Sequence, residues 1–291
     1  MRHLGPMPEA PSARLCGRPM KRSMPLLLLL ALALATLVAP ADATAALRTP
    51  GAHAGAPARW IPPARPTWQW QLDGRLDTSV DADVYDIDLF DHDASVVAAL
   101  HQAGRRVLCY TIVGSLERGR PDVGALPRAV VGRTLDGWPG ERWLDIRRLD
   151  VLGPWIGRRL DVCRAKGFDA VEADNVDAYA NRSGFPLTAA DQLRFNRFLA
   201  RAAHRRGLAI ALKNDLDQVA ALEPSFDLAV VEQCFEFGEC DELAPFTAAG
   251  KPVLVAEYRL APARFCARAN AAGLMAMRKR LALGPWRRPC W

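Results

Sequence analysis

Histidine is scarce in this chain: five residues in 291, His3, His53, His92, His101 and His204. The first two lie in the N-terminal stretch, and His101 and His204 sit on helix-like segments just before glycines. Only His92 is near the end of a strand-like run, which argues against zinc hydrolysis with its histidine-rich ligand sets. No metal and no organic cofactor is expected, although carboxylates leave a structural calcium open. No serine occupies a Gly-x-Ser-x-Gly turn, so a nucleophile-elbow hydrolase is excluded. No Cys-x-x-Cys pair offers a zinc or redox site, and no glycine-rich phosphate turn follows the first strand-like run. The formal charge is +6, with Lys and Arg scattered rather than striped or interleaved with aromatics. That pattern excludes nucleic acid as the expected partner.

Long apolar runs are also lacking. The one at Leu26 to Ala39, interrupted by Thr36, falls short of the ~20 residues of a comfortable membrane span. It follows Met20-Lys21-Arg22 and precedes Ala41-Asp42-Ala43 and Ala43-Thr44-Ala45. A basic start, an apolar middle and small-residue cleavage sites make a secretory signal peptide, with an uncleaved anchor as the alternative. Met20 is the expected true start, residues 1–45 form an extension plus signal peptide, and the protein is expected to be secreted or periplasmic. Loss of Arg2, Arg14, Arg18, Lys21, Arg22, Glu9 and Asp42 with that segment lowers the charge from +6 to +3. Residues 46–66, rich in Ala, Pro, Gly and Arg, read as a flexible linker. Residues 67–291 are of a size for one domain, expected to be monomeric.

Export permits disulfides. Cys16 leaves with the leader, and six cysteines allow 15 pairings. Cys234 with Cys240 and Cys266 with Cys290 are the natural pairs, whereas Cys109 and Cys163 are expected as buried free thiols.

Apolar strand-like runs recur at Trp68 to Leu72, Val84 to Leu89, Val107 to Val113, Phe168 to Val171, Leu208 to Leu212, Leu228 to Val231, Val253 to Val255 and Leu274 to Met277. Amphipathic helical patterns span Ser95 to Ala103, Val151 to Lys166 and Ala189 to Arg206. Gly104, Gly167, Gly207, Gly250 and Gly273 each precede a strand, as helix C-caps do. Eight strands with intervening helices predict an α/β fold, a single (β/α)8 TIM barrel. A doubly wound open sheet is the rival. Trp143 to Ile146 is a short extra strand in the long loop after the third.

In such barrels the chemistry sits at the C-terminal strand ends, and here those ends are polar. They carry Asp73, then Asp86 and Asp88, then Tyr110, then Glu172, Asp174, Asn175 and Asp177. Lys213, Asn214 and Asp215 follow, then Glu232, then Glu257 and Tyr258. Asp and Asn are common as turn and cap residues, so Asp73, Asp177 and Asp215 have an ordinary explanation. Asp86 and Asp88 lie within a strand, where Asp is disfavoured. Asp174 and Glu232 each close an apolar run, a costly place for a carboxylate that is neither paired nor used. Two carboxylates across one cleft can cleave a glycosidic bond, and their separation decides between retention and inversion.

Several segments together resemble glycoside hydrolase family 114, the endo-α-1,4-polygalactosaminidases. They include Trp68-Gln69-Trp70-Gln71-Leu72, Val84-Tyr85-Asp86-Ile87-Asp88, Trp138-Pro139-Gly140-Glu141, Trp143-Leu144-Asp145-Ile146-Arg147, Asp174-Asn175-Val176-Asp177, Leu212-Lys213-Asn214-Asp215, Glu232-Gln233-Cys234 and Glu257-Tyr258. Ala173 departs from the proline of that family's motif. The resemblance implies a secreted barrel, with Asp174 as nucleophile, Glu232 as acid/base, and retention of configuration. Glu232, in the more apolar run, suits the acid on its own sequence context. The implied partner is a galactosamine-rich, cationic polysaccharide. Asp73, Asp86, Asp88, Asp145 and Glu257 would attract its ammonium groups, with Tyr110, Asn175, Asp177, Asn214 and Tyr258 also at the substrate site. Lys213 and Arg120 would bind sugar hydroxyls or keep Asp174 ionised. Trp68, Trp70, Tyr85, Trp138 and Tyr179 serve either as sugar platforms or as core. A non-catalytic carbohydrate-binding barrel and a hydrolase of another α-linked glycan are the alternatives.

Overall fold

The structure is a computed structural model that describes residues 59–291. The expected leader and most of the expected linker lie outside the described residues. The linker's last residues, from Arg59 on, lie against the domain: Arg59 pairs with Asp227 at 3.0 Å, and Trp60 packs on the barrel's inner apolar residues.

Eight parallel strands form the barrel: β1 (Trp68–Gln71), β2 (Val84–Asp88), β3 (Arg106–Ile112) and, after an insertion, β7 (Ala170–Asp174), β8 (Ala209–Lys213), β9 (Leu228–Glu232), β10 (Val253–Glu257) and β11 (Met275–Lys279). The insertion is a three-stranded antiparallel sheet, β4 (Ser115–Glu117), β6 (Trp138–Leu144) and β5 (Val131–Leu135). Its strand β6 takes in the first half of the extra strand expected at Trp143 to Ile146, ending at Leu144. A last strand, β12 (Arg287–Pro289), runs antiparallel to β11 at the seam with β1. No ladder joins β1 to β11. Instead the Trp68 indole N–H donates to the Met275 carbonyl at 2.8 Å, Leu72 N–H donates to Leu283 O at 3.0 Å, and the Arg287 guanidinium donates to Trp68 O.

The two-residue period of a strand divides the core into two sets. Trp68, Trp70, Val84, Leu108, Ala170, Ala211, Val230, Leu254, Ala256, Met275 and Met277 fill the lumen. Alternate residues such as Ile87, Val107, Val171, Ile210, Val231 and Val255 face the helices. Trp68, Trp70 and Tyr85 are therefore core residues, each at most 1% exposed. Three long helices match their amphipathic patterns: α1 (Ala94–Gln102), α2 (Leu149–Lys166) and α3 (Ala189–His204). A Thr188/Asp191 capping box starts α3, and Asp93 caps α1. Elsewhere the strand connections hold only short turns, namely α4 (Val219–Leu222), α5 (Cys234–Phe237), α6 (Ala244–Ala248) and α7 (Cys266–Ala271). Among the described residues no helix is long and apolar enough to cross a membrane.

Three disulfides are formed. Cys234–Cys240 and Cys266–Cys290 match the expected pairs. Cys109 and Cys163 are not free thiols but the third bridge. Cys109 is on the helix-facing side of β3, and the strand parity brings it within a Cα separation of 6.0 Å of Cys163 on α2, inside the reach of a disulfide.

Candidate active site

Five successive strands each send one side chain to the C-terminal mouth of the lumen. In sheet order they are Tyr110, Asp174, Lys213, Glu232 and, just past β10, Tyr258. Asp174 and Glu232 are the last residues of their strands, not the first residues of the loops. They therefore continue the inward parity of Ala170 and Leu228.

Lys213 is the hub. Its ammonium lies 2.7 Å from Glu172 Oε1, 3.2 Å from Asp174 Oδ1 and 3.4 Å from Glu232 Oε2, and over the Trp70 ring at 4.7 Å. Burial alone would push this lysine down, but the three carboxylates more than reverse that and hold it well above its usual range. The two oxygens contact one nitrogen, so they are no farther apart than the sum of 3.2 and 3.4 Å. The other oxygens are held by phenols. Tyr110 donates to Asp174 Oδ2 at 2.7 Å, and Tyr258 donates to Glu232 Oε1. Burial and the adjacent carboxylates raise both phenols well above their ordinary value, so both stay protonated donors. The carboxylate side chains remain reachable, at 17% and 26% exposure, whereas Lys213 is 2% exposed.

The turns that follow these strands are in an unusual backbone region. Asn175, Asn214, Asp215 and Gln233 have φ of 63°, 48°, 50° and 59°, left-handed values that cost non-glycine residues and concentrate at functional sites. Two of them bond directly to the reacting residues, Asn175 to the Asp174 carboxylate and Asn214 to the Glu232 backbone. Asn175 N–H donates to Asp174 Oδ1 at 2.8 Å, and Asn214 Oδ1 accepts from Glu232 N–H at 2.9 Å. Asn175 Nδ2 donates to Ser115 Oγ at 2.7 Å and Glu141 Oε2 at 3.0 Å. Gly114 lies flat against this turn: a Cβ on it would fall 1.6 Å from Asn175 O.

Other expected site residues are engaged elsewhere. Arg120 does not reach Asp174. Its guanidinium forks onto Asp88 at 3.0 and 2.7 Å and bonds Glu117 at 2.5 Å, so Asp88 and Arg120 neutralise each other. Asp145 is likewise bound by Arg147 at 2.8 Å through both oxygens. Glu257 points to the helix side of β10, where it accepts Phe235 N–H at 2.8 Å and holds the start of α5. Burial pushes it up to about 7. Asp86 is fully buried below the mouth. Asp73 is exposed on the turn after β1. Asp177 lies near Asp174, and burial together with that charge pushes it up to about 6.

Two neighbours of the reacting region stood in the sequence reading, one at a strand end and one in a motif, without a role at the site. Glu172 faces the lumen two residues before Asp174, a parity that marked it once the strand was known to extend to residue 174. Glu141 comes from the inserted β6 and accepts from Ser115 Oγ at 2.7 Å. Burial, with a contribution from Asp174, pushes it up to about 7. Only its place in the Trp-Pro-Gly-Glu segment marked it. Among the described residues no group of His, Cys, Asp and Glu is arranged to hold a metal ion.

A (β/α)8 barrel with two carboxylates converging at the C-terminal mouth has the constitution of a glycoside hydrolase. The sequence matches the model of glycoside-hydrolase family GH114 over residues 49–291, and the chain belongs to that family. It is a glycoside hydrolase. It is similar to Ega3 of Aspergillus fumigatus, solved in complex with galactosamine. The two are 40% identical over 80% of this chain and 98% of that chain, with a TM-score of 0.76. The glycoside hydrolase domain of PelA from Pseudomonas aeruginosa shares the fold at 16% identity, covering 75% of this chain and 96% of that domain, with a TM-score of 0.59. No curated protein sequence matches.

Proposed function

We propose that residues 67–291 form a secreted catalytic domain that cleaves internal α-1,4 linkages of galactosamine-containing polysaccharide with retention of configuration. The observation that carries this reading is the shared Lys213 contact of Asp174 and Glu232. Retaining pairs stand ~5–5.5 Å apart and inverting pairs ~6.5–9.5 Å, and the upper limit set by Lys213 favours the closer class.

The hydrogen bonds favour one assignment of roles. Asp174 receives three donors, the Tyr110 hydroxyl, the Lys213 ammonium and its neighbour's N–H, which stabilise an anion and suit the nucleophile. Glu232 receives Tyr258 on Oε1, and its Lys213 contact is the longest of the three, so Oε2 can carry a proton. Asp174 attacks the anomeric carbon while Glu232 protonates the departing glycosidic oxygen. Glu232 then takes a proton from water, whose oxygen displaces Asp174 from the sugar. Glu141 and Asp177 add negative charge beside Asp174, which suits the ammonium groups of galactosamine, the sugar bound by Ega3. Three disulfides support an oxidising destination.

The test is release of new reducing ends from deacetylated, partly acetylated and neutral α-glycans, with NMR of the first-formed anomer. Asp174→Asn and Glu232→Gln should each lose most activity while melting cooperatively. Wild-type turnover by either variant, or a β-anomer as first product, overturns the assignment.

A further inference from the structure

Below the row of hydrogen-bonded side chains lies a carboxyl group that the reaction does not use. Asp86, on the lumen side of β2, is fully buried and within hydrogen-bonding reach of Glu172. Neither of its oxygens meets an N–H or O–H donor among the described residues. Glu172 is also fully buried. Its Oε1 accepts from Lys213, and its Oε2 meets no donor. Two ionised carboxylates in dry contact would each lack their hydration and would repel. One proton between them removes both costs, because a protonated carboxyl is a donor.

We propose that Asp86 is a neutral carboxylic acid whose O–H donates to Glu172 Oε2, making the pair a singly charged anchor that fixes Lys213 between Asp174 and Glu232. The contact lengths fit an anchor, since Lys213 is closest to Glu172 and farther from both reacting carboxylates. Glu172 is thereby kept from turning its second oxygen elsewhere, and all three ammonium hydrogens have fixed destinations. Burial first and the Glu172 charge second also push the Asp86 carboxyl upward. The charged groups that face it are Glu172, Lys213 and Asp174. Asp86 is thus a positioning residue that acts through Glu172 and Lys213.

Asp86→Asn keeps a donor, and Asp86→Val keeps the branch and removes it. The infrared difference between wild type and Asp86→Asn at neutral pH should show the carbonyl stretch of one protonated carboxyl, over and above the other raised carboxyls such as Glu141 and Glu257. Asp86→Asn should retain most of kcat. Asp86→Val should lose at least about tenfold in kcat with little change in KM, because Glu172 Oε2 is left unpaired. The two limbs of the pH–rate profile should superimpose for Asp86→Asn and wild type, since an uncharged group is replaced by another. Removing a buried anion would instead move both limbs toward lower pH by ~1 unit or more. Such a shift, equal loss in the two variants, or no infrared difference overturns the proposal. If Asp86→Val does not fold, the infrared and pH arms on Asp86→Asn still decide it. The kinetic arm rests on Asp174 and Glu232 as the reacting pair. Failure of that pair would show first in Asp174→Asn and Glu232→Gln and leaves the infrared result standing.

Discussion

Replacing Lys213 with methionine keeps most of the side chain's bulk and removes its charge. The ammonium lies 2.7, 3.2 and 3.4 Å from three carboxylates. At an effective dielectric constant of ~20, each of the two longer contacts amounts to about 5 kcal/mol of attraction. Desolvation offsets much of that, and breaking a buried pair by removing one partner costs ~3–5 kcal/mol. At ~2–4 °C per kcal/mol for a domain of this size, the melting temperature at pH 7 should fall by about 6–20 °C. The pH dependence has a definite sign. Burial raises the Glu172 carboxyl and Lys213 lowers it, so Lys213→Met raises it further. A carboxyl with a raised folded value contributes its full stability below its unfolded value of ~4.3 and loses it as pH rises through the folded value. The gap between variant and wild type should therefore be widest near neutrality and narrow toward pH 5. Thermal melts of both proteins across that range measure it. A variant that melts within about 2 °C of wild type, or a gap that widens on acidification, refutes the electrostatic account. Activity should also fall by at least about a hundredfold, since both reacting carboxylates lose their common donor.

Gly114→Ala should be strongly destabilising and should depress kcat, because its Cβ would sit 1.6 Å from the Asn175 carbonyl. A melt and a rate assay check it, and a wild-type melting point would show that the turn can yield. The double variant Cys109→Ala/Cys163→Ala opens a loop of 54 residues and should lose about 4 kcal/mol in urea unfolding. Removing Cys234–Cys240, which closes a loop of six, should cost only about 2 kcal/mol.

The eight barrel strands and three long helices were legible because strand runs and helical faces are local patterns. The positions of Asp174 and Glu232 followed from the same runs. Their place within the strands did not, since acidic residues look like strand terminators until the lumen is known to accept them. Partner choice was hidden for a different reason. Arg120, Asp88, Asp145 and Glu257 looked like cleft residues by their distance from strand ends, yet each found its countercharge or backbone donor through loops that a one-dimensional reading cannot fold. The Cys109–Cys163 bridge was invisible for the same reason, because it needs both the outward parity of β3 and the seating of α2 upon it. The inserted sheet carries Glu141 to Asn175 from β6, a contact that no periodicity in the barrel itself encodes.

The seam between the first and last parallel strands has a consequence for biogenesis. Arg287 reaches Trp68 across 219 residues of sequence, and Cys290 completes its bridge alongside. A nascent chain can assemble the earlier strand–helix units as they emerge, but the ring stays gapped until its final segment arrives. Until then the unfinished lumen exposes Trp68 and Trp70, so this segment doubles as the clasp that ends a vulnerable, aggregation-prone interval.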